Sequence, residues 1–260
     1  MQTPSPQILQ EVRAFAEEIA HEAGQVTLRY FRKAFEVEHK SDKSPVTAAD
    51  REAETVLRDR ILSRYPEHAV IGEEFGEAGT QGSAFTWVLD PIDGTKSFVK
   101  GVPLYCVLVA LLHEQRPIVG VIHNPALDET VSAAVGMGCT YQDKPAQVST
   151  VSTLDDAWLL LTDPADMARY RPELGPSLYG AVGNVRTWAD AYGYLMVATG
   201  RAEIMLDPIM NLWDVAALKP IIEESGGRFT DIDGNDDATG SSALATNGLL
   251  HEAVLGLYPT

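Results

Sequence analysis

The chain has 260 residues, of which 45% are hydrophobic and 22% are charged, a composition ordinary for a globular protein with one large domain or two closely joined halves. Its formal net charge of -17 argues against binding to nucleic acid or to an anionic membrane, since either would require a basic face. The same charge would repel an anionic ligand unless metal cations reversed the sign locally, although most of these acidic residues are expected to form a solubilising surface.

The cysteines and the apolar stretches point to a protein of the cytoplasm. Cys106 and Cys139 are too few for a disulfide framework, and neither has a metal-binding spacing. The N-terminal stretch lacks a basic region followed by an apolar core, so no signal peptide is expected. The longest apolar stretch, Val102 to Leu112, is too short to cross a bilayer. We therefore expect a cytoplasmic protein without nucleic-acid or membrane partners.

The first predicted element is an amphipathic helix from Ser5-Pro6 to about Phe31, because serine followed by proline favours a helix start. Its apolar residues recur at three-, four- and seven-residue spacings, as one face of a helix requires. The residues of that face are Ile8, Val12, Phe15, Ile19 and Val26. A polar loop over residues 40–45 separates this helix from the next.

A second helix is predicted to begin at Thr47, a favoured N-cap residue, with Asp50 at its third position, where a carboxylate suits the free amides. It ends at Pro66, which cannot continue a helix. A short apolar strand over residues 69–71 then leads directly to Glu73.

The central stretch is predicted to bring two carboxylates and a helix start together. Apolar residues 87–89 form a short buried strand that ends at Asp90, because Pro91 lacks an amide hydrogen and favours an extended residue before it. The turn 93–95 then feeds a helix that begins near Lys96. The carboxylates at positions 90 and 93 would repel each other unless a cation lay between them, and free helix amides suit an anion. A hard metal ion beside a phosphate meets both requirements.

The rest of the chain alternates strands and helices irregularly. Strands are predicted over 104–112, 118–123, 130–134, 157–161, 202–206 and 240–247, and helices over 191–199 and 214–225. Glycines at 200 and 226–227 would close the two helices. This order favours an α+β protein built from layers of helices and sheets over one doubly wound sheet. No repeat or linker separates independent domains.

Three short motifs, in this order, resemble the inositol monophosphatase family of magnesium-dependent phosphatases. They are Gly72-Glu73-Glu74, Asp90-Pro91-Ile92-Asp93-Gly94-Thr95 and Trp213-Asp214, and the resemblance extends from about Val46 to Gly248. It implies the family's αβαβα sandwich, of the inositol monophosphatase and fructose-1,6-bisphosphatase type, over a single domain of residues 1–260. Residues 1–150 would bind metal and phosphate, and residues 151–260 would determine the substrate. It also implies a homodimer.

The resemblance implies a magnesium site with two or three ions, in which Mn²⁺ can substitute. Glu73, Asp90 and the Ile92 carbonyl would hold the first ion. Asp90, Asp93 and Asp214 would hold the second. Carboxylate and carbonyl oxygens suit Mg²⁺, which prefers six oxygen ligands.

The same resemblance implies the catalytic and phosphate-binding residues. Thr95 would orient the attacking water, with Asp50 behind it as acceptor of a proton or hydrogen bond, and Glu73 would contribute from the metal side. Asp93, Gly94 and Thr95 would contact the substrate. The backbone amides of Gly94 and Thr95 would donate hydrogen bonds to the phosphate oxygens. Each residue alone has an ordinary structural explanation, such as a helix cap or a turn. Their shared order and spacing favour the site.

The second half of the chain looks like the histidinol-phosphatase branch of this family over residues 186–194, 197–203 and 205–208. Asp207 stands where inositol-specific relatives commonly carry glutamate. Histidinol phosphate presents an ammonium and an imidazole that can become cationic, and Asp190 and Asp207 could pair with them. Arg186 is a further predicted substrate contact, unless it forms a structural ion pair with Asp190. The implied reaction is hydrolysis of L-histidinol phosphate, a step of histidine biosynthesis, by direct attack of a metal-activated water without a phosphoenzyme.

Some of these residues are also compatible with other functions. Inositol-1-phosphate, or a broader set of sugar and nucleotide phosphates, would suit the same metal chemistry. A non-hydrolytic phosphate-binding or regulatory protein on this fold should have lost a ligand or the water-orienting threonine, and this chain keeps them. Asp90 and Asp93 lack the DxD spacing of a haloacid-dehalogenase-type phosphatase, and neither cysteine lies in a phosphate loop. The segment 231–236 hints at a calcium loop but has Asp236 where glycine is needed, so a turn is predicted.

Overall fold

The computed structural model describes residues 4–33, 37–39, 45–188, 190–236 and 241–258, without the side chains of 37–39, 45 and 46. The helices are α1 (Pro6–Tyr30), α2 (Ala48–Arg64), α3 (Thr95–Val99), α4 (Pro164–Tyr170), α5 (Leu174–Ala181), α6 (Ala191–Ala198), α7 (Leu212–Val215), α8 (Leu218–Glu224) and α9 (His251–Leu255). The strands are β1 (Val37–His39), β2 (Pro45–Thr47), β3 (Ala69–Gly72), β4 (Gly76–Gly79), β5 (Phe85–Asp93), β6 (Cys106–His113), β7 (Arg116–Asn124), β8 (Glu129–Ala134), β9 (Cys139–Tyr141), β10 (Lys144–Pro145), β11 (Trp158–Leu161), β12 (Asn184–Arg186), β13 (Ile204–Asp207), β14 (Arg228–Thr230) and β15 (Ala243–Thr246). Residues 40–44 of the predicted polar loop and the predicted strand start at 240 lie outside the described residues.

Two main sheets form within the described ranges, besides the small β1–β2 ribbon. The first has eight strands in the order β10-β9-β8-β7-β6-β5-β3-β4, and the second has five in the order β12-β11-β13-β15-β14. The larger sheet is antiparallel except for the β3–β5 pair. In the smaller sheet β11 is parallel to both of its neighbours.

Alternating side chains along β6 define the first three layers. Val107 and Val109 belong to the core formed with α1 and α2, whereas Leu108 and Ala110 belong to the core formed with α6 and α8. Since successive residues of a strand point to opposite faces, this strand is buried on both sides. The large sheet therefore lies between two helical layers.

The smaller sheet completes the stack in the same way. Leu160 of β11 faces the α6–α8 core, and its neighbours Leu159 and Leu161 face a core formed with α4, α5 and α9. Helices α1 and α2, the large sheet, α6 and α8, the small sheet, and α4, α5 and α9 thus form successive layers. This arrangement confirms the predicted α+β fold and its αβαβα sandwich.

The two predicted N-terminal helices are confirmed with their start signals. The Ser5 hydroxyl accepts the Ile8 amide at 3.5 Å, and Thr47 forms a capping box with Asp50. The prediction that Ile8 is buried is wrong, because its side chain is 50% exposed and Leu9 is buried instead. Small alanines at positions 16, 20 and 23 also lie in the contact and shift the buried face toward Leu9.

The central strand extends further than predicted. It was expected to end at Asp90, but β5 continues to Asp93 with an irregularity between these two residues. The following helix begins at Thr95, one residue before the predicted start, and its N-cap is Gly94. Gly94 has φ of 85°, a left-handed conformation that glycine adopts without the strain a side chain would bring.

The predicted helix over residues 214–225 is two helices, α7 and α8, interrupted at Ala216-Ala217. Helix α7 begins earlier than predicted because Asn211 and Asp214 form a capping box. The remaining predicted strands and the helix at 191–199 are present with ends shifted by a few residues. The elements that were not predicted are short, namely β1, β2, β4, β9, β10, β12, β14, α4, α5 and α9. None of the helices in the described ranges has the length and apolarity that a membrane span requires.

Candidate active site

Three aspartates from two elements converge where β5 ends. Asp90, Asp93 and Asp214, here called the aspartate triad, each place a carboxylate oxygen within 4.8 Å of those of the other two. Asp90 and Asp93 come from β5, and Asp214 comes from α7, which packs against β5. Carboxylate oxygens at this spacing are the donors that a hard divalent cation prefers.

A bulge in β5 turns Asp90 and Asp93 to the same face. Residues three apart in a regular strand point to opposite faces. Here Asp90 is opposite Leu108 and Asp93 is opposite Cys106, so an advance of three residues along β5 matches two along β6. The extra residue brings both carboxylates to the face that Leu108 and Cys106 share, toward α6 and α8. Pro91 favours this irregularity because it cannot donate to the ladder.

The triad is electrostatically unfavourable without a cation. Burial raises the pKa of Asp90 and of Asp93 well above that of an ordinary aspartate, and neighbouring carboxylates raise both further. Burial also raises the pKa of Asp214 to about 6, although hydrogen bonds from Asn211 lower it. Protons and cations therefore compete for a site in which negative charge is both desolvated and crowded.

Backbone amides fix one oxygen of each triad carboxylate. The bonds are Ile92 N–H to Asp90 Oδ1 at 3.0 Å, Asn211 N–H to Asp214 Oδ2 at 2.7 Å, and Ala191 N–H to Asp93 Oδ2. In the part of the chain that the structure describes, no lysine or arginine forms an ion pair with the triad. Protein side chains thus leave the mutual repulsion unrelieved, and the residues present fit a hard divalent cation.

Glu73 lies beside the triad at the end of β3. Its amide donates to the Leu89 carbonyl at 3.2 Å, which places it next to Asp90 on the neighbouring strand. The negative charge of Glu73 raises the pKa of Asp50, Asp90 and Asp214. The compact three-carboxylate group does not include Glu73. Its role as a metal ligand remains a prediction.

The described hydrogen bonds of Asp50 and Thr95 go to other residues, and none joins the two. Asp50 Oδ2 accepts the Thr47 amide at 2.8 Å and the Thr47 hydroxyl at 2.6 Å, while Oδ1 is buried without a hydrogen-bond partner among the described residues. Burial raises the pKa of Asp50 to about 6. The Thr95 hydroxyl donates instead to the Ile92 carbonyl at 3.0 Å. The catalytic roles of Asp50 and Thr95 and the metal role of Ile92 remain predictions.

A cleft of about 120 Å³, here called the acidic cleft, adjoins the triad. Its lining residues are Asp93, Thr162, Asp163, Asp166, Asp190, Asp207, Ile209, Met210 and Asp214. Aspartates dominate this lining, and the described lining contains no lysine or arginine. Sequence reasoning missed Asp163 and Asp166. The available signal was Asp163-Pro164, a helix-start pattern directly after a predicted strand.

Asp190 reaches the acidic cleft from a strained backbone position. It has φ of 53°, and its amide donates to the Thr162 hydroxyl at 3.1 Å. Its carboxylate accepts the Ser97 hydroxyl at 3.4 Å and lies close to Gly94, where an added Cβ would be 2.6 Å from Asp190 Oδ2. Burial, followed by the charge of Asp207, raises the pKa of Asp190 to about 7. Asp190 thus lies directly against the predicted phosphate-binding turn.

Asp207 also lines the acidic cleft and is 4% exposed. Its Oδ2 accepts the Tyr194 hydroxyl at 3.0 Å, and its Oδ1 accepts the Thr162 amide at 3.2 Å. Burial raises the pKa of Asp207, although these hydrogen bonds oppose the shift. Both oxygens are oriented by the protein before any ligand binds.

Arg186 does not line the acidic cleft. Its exposed side chain lies 5.4 Å above the Trp158 ring and donates to the Val185 carbonyl at 2.7 Å. Among the described contacts it makes no ion pair with Asp190, so that alternative is wrong. Its role as a substrate contact stays a prediction.

A larger groove of about 870 Å³ runs beside the β3–β4 hairpin. Small residues and backbone dominate its described lining, where Glu77 and Glu114 are the only carboxylates. Functional sites combine concavity with convergent polar groups of perturbed pKa. The smaller acidic cleft meets that description better.

The fold and the site define a class of protein: a layered αβαβα protein with a candidate cation site at the end of a central strand, beside an acidic cleft. Residues 8–258 match the sequence model of the inositol monophosphatase family. This chain belongs to that family. The match confirms the predicted family and explains the order of the three motifs.

Individual relatives agree with this placement. The histidinol-phosphatase of Chlorobaculum parvum is 40% identical over 242 residues, covering 89% of this chain and 93% of the relative. The histidinol-phosphatase of Mycobacterium tuberculosis is 39% identical over 246 residues, covering 91% and 94%. The solved inositol monophosphatase from Anabaena has a TM-score of 0.84 at 32% identity, covering 96% of this chain and 95% of that chain. These matches confirm the predicted fold and the predicted class of enzyme, a phosphatase.

Proposed function

We propose that this protein is a magnesium-dependent phosphatase that hydrolyses L-histidinol phosphate to L-histidinol and phosphate, a step of histidine biosynthesis. The observation that carries the proposal is the acidic cleft, in which Asp190 and Asp207 adjoin the triad and form no ion pair with a described lysine or arginine. Two other aspartates of the lining have cations nearby, since Lys96 Nζ lies 4.0 Å from Asp163 Oδ2 and Arg169 lies 3.3 Å from Asp166 Oδ1. An ester with an ammonium and a protonatable imidazole would neutralise this charge, whereas a neutral polyol would not. The two relatives named as histidinol-phosphatases support the same substrate.

In this proposal the triad holds two or three Mg²⁺ ions together with Glu73 and the Ile92 carbonyl, and Mn²⁺ can substitute. When bound, magnesium supplies charge neutralisation of the phosphate and an acidified water as nucleophile. The ionised form of the triad is favoured by the cation, which offsets the burial and repulsion that raise the pKa values of Asp90 and Asp93.

Asp190 is the residue that we assign to the substrate ammonium. The amides of Gly94 and Thr95 would receive phosphate oxygens, and the Asp190 carboxylate lies against Gly94. In histidinol phosphate the ammonium is attached to the second carbon from the ester oxygen, so it would lie near the phosphate and within reach of Asp190. The imidazole would then lie deeper in the acidic cleft, with Asp207 as its proposed partner.

Asp50 and Thr95 are proposed to orient the attacking water and accept its proton. Asp50 Oδ1 is the acceptor that we assign, because it lacks a partner among the described residues. The pKa of Asp50, about 6, is close to the operating pH, as an efficient proton acceptor requires. The Thr95 hydroxyl would rotate away from the Ile92 carbonyl to take part.

The division of labour between the two halves of one domain is also a proposal. Asp90, Asp93 and Gly94 lie within residues 1–150 and would serve metal and phosphate, while Asp190 and Asp207 lie within 151–260 and would serve the substrate. Asp214 departs from this division because it joins the metal site from the second half. We further propose that the protein is a homodimer in the cytoplasm.

Phosphate release from a panel of esters tests the substrate. With saturating magnesium, kcat/KM for histidinol phosphate is expected to exceed that for inositol-1-phosphate, fructose-1,6-bisphosphate and 3'-phosphoadenosine-5'-phosphate by a hundredfold, about 2.7 kcal/mol. Asp190→Asn should lose most of this preference, whereas the exposed control Asp155→Asn should retain it. Equal activity across the panel would contradict the proposed substrate and leave the metal chemistry intact.

Inositol-1-phosphate is the second candidate. Asp207 could accept a hydroxyl of the inositol ring, and the Anabaena relative is named as an inositol monophosphatase. A preference for this ester in the same panel would establish it. A non-hydrolytic binding protein is distinguished by phosphate binding without phosphate release from any ester.

A further inference from the structure

A buried ion pair on α2 lies beneath the turn that carries Glu73. Arg58 Nε donates to Glu54 Oε1 at 2.7 Å, and the side chains are 9% and 0% exposed. Burial of two charges is costly, and apolar replacements of such pairs often leave stability unchanged or improve it. The contribution of the pair to stability is therefore a weak reason for its presence.

Both charged groups hold the main chain of the turn between β3 and β4. Glu54 Oε2 accepts the Glu74 amide at 2.7 Å, and Glu54 Oε1 accepts the Phe75 amide at 3.2 Å. Arg58 donates to the Gly76 carbonyl. Because these hydrogen bonds all go to main-chain atoms, the pair fixes the path of the turn mainly through its backbone, and Arg58 also lies 5.8 Å from the centre of the Phe75 ring.

Gly72 permits this close contact at the entrance to the turn. An added Cβ at Gly72 would lie 2.2 Å from Glu54 Oε1 and 2.8 Å from an Arg58 nitrogen. A side chain here would push the carboxylate away from the turn. The glycine thus allows the buried pair to lie directly beneath the residue that follows it, Glu73.

Glu73 is consequently held from two sides. Its own amide donates to the Leu89 carbonyl of β5, and the next two amides donate to Glu54. The Glu73 carboxylate lies near Asp90, whose pKa its charge raises. A shift of the turn would change the distance between Glu73 and the triad.

We propose that Glu54, supported by Arg58, is a positioning residue that holds Glu73 where it can bind a divalent cation. The inference rests on the proposed function, in which Glu73 is a metal ligand. Asp50, Glu54 and Arg58 follow one another at four-residue intervals along one side of α2. One helix face therefore supplies both the proposed proton acceptor and the support of the metal ligand.

Magnesium binding to the full-length protein tests this role directly. Glu54→Gln removes the charge and one acceptor, and is expected to raise the Mg²⁺ dissociation constant, measured by calorimetry, at least tenfold. The Mg²⁺ concentration for half-maximal activity should rise by the same factor, while kcat at saturating Mg²⁺ stays within threefold. The matched control is Glu22→Gln, which removes the carboxylate of α1 that pairs with Arg60 of α2. This variant should change neither the Mg²⁺ dissociation constant nor the Mg²⁺ concentration for half-maximal activity.

A double-mutant cycle separates positioning from a general structural effect. In a Glu73→Gln background, Glu54→Gln should change Mg²⁺ binding less than twofold, because the ligand that it positions is already lost. An effect of equal size in both backgrounds would overturn the inference. So would unchanged Mg²⁺ affinity in a folded Glu54→Gln variant.

A second variant addresses the uncompensated charge of Arg58. The Glu54→Met and Arg58→Met double variant replaces the pair with apolar side chains, and circular dichroism of the metal-free protein checks that it folds. The double variant should show the same tenfold loss of Mg²⁺ affinity, since the amides of residues 74 and 75 lose their acceptor. Unfolding of both variants would overturn the proposal by making the pair a stability element. If the wild type fails to bind Mg²⁺, or Glu73→Gln binds it normally, the proposed metal site itself is wrong.

Discussion

Replacing Asp50 with asparagine is expected to stabilise the metal-free protein at alkaline pH, although we assign the residue to catalysis. Asp50 is 1% exposed, and burial raises its pKa from 3.8 to about 6. The folded protein therefore holds this proton more tightly than the unfolded chain does. The resulting stability is fully present below the unfolded pKa and is lost as the pH rises through the folded pKa. At pH 8 the wild type carries a desolvated charge that the asparagine variant lacks.

The size of the effect follows from the two pKa values. The whole difference between them corresponds to about 3 kcal/mol of unfolding free energy, of which roughly half appears between pH 8 and pH 5. For a chain of this length, 1 kcal/mol shifts the melting temperature by about 2–4 °C. The gain in melting temperature between pH 8 and pH 5 should thus be about 3–6 °C larger for the wild type than for Asp50→Asn.

Differential scanning calorimetry of chelator-treated protein at the two pH values measures this difference. Asp59→Asn, an exposed aspartate of the same helix, is the matched control and should respond to pH as the wild type does. Asparagine can still accept both bonds from Thr47 with its single oxygen, so the capping box is retained. An identical pH response of the wild type and Asp50→Asn would refute the assignment of a raised pKa to this carboxylate.

The remaining predictions concern the proposed cation site and the proposed phosphate-binding turn. Asp93→Asn should reduce kcat/KM at least a hundredfold and abolish the rise in melting temperature that Mg²⁺ causes, because the triad loses one of three carboxylates; retention of both would exclude Asp93 as a ligand. Removal of metal with a chelator should abolish phosphate release, and Mg²⁺ or Mn²⁺ should restore it. Gly94→Ala should lower the free energy of unfolding by about 1–2 kcal/mol because of the left-handed backbone, and further because the new Cβ would clash with Asp190. Gly82 has φ of 76° and open space around it, so Gly82→Ala measures the backbone contribution alone. Equal melting temperatures for these two variants would mean that Asp190 does not crowd Gly94.

The long elements and the local caps could be predicted from the sequence. The periodic apolar residues predict helix α1, and the capping pair of Thr47 and Asp50 predicts the start of α2. These signals are local, so no tertiary information is required to read them. Short elements such as β4 and β12 carry neither periodicity nor caps, since their few residues are ordered by the sheets they join.

The composition of the acidic cleft could be predicted only in part. Asp190 and Asp207 were identified through a family resemblance. Asp163 and Asp166 follow β11, and they lie at the cleft only because the small sheet places β11 between β12 and β13. The position of Glu54 beneath the β3–β4 turn could not be predicted from the sequence, for another reason. An i,i+4 pair with Arg58 is the usual pattern of a solvated helix surface, and only the position of the β3–β4 turn reveals that the pair is buried.

The spacing of Asp90 and Asp93 illustrates how a strand can bring two carboxylates together at a candidate cation site although its regular geometry would separate them. Two aspartates on one face of a regular strand must be separated by an even number of positions. Here they are three apart, and a bulge at Pro91-Ile92 supplies the missing residue. That same bulge turns the Ile92 amide toward Asp90 and its carbonyl toward Thr95, so a single irregularity orients the carboxylates and the residues around them. The proline therefore affects the candidate site through backbone geometry. Because it cannot donate a hydrogen bond to β6, it favours the bulge that places both carboxylates on the same face of β5.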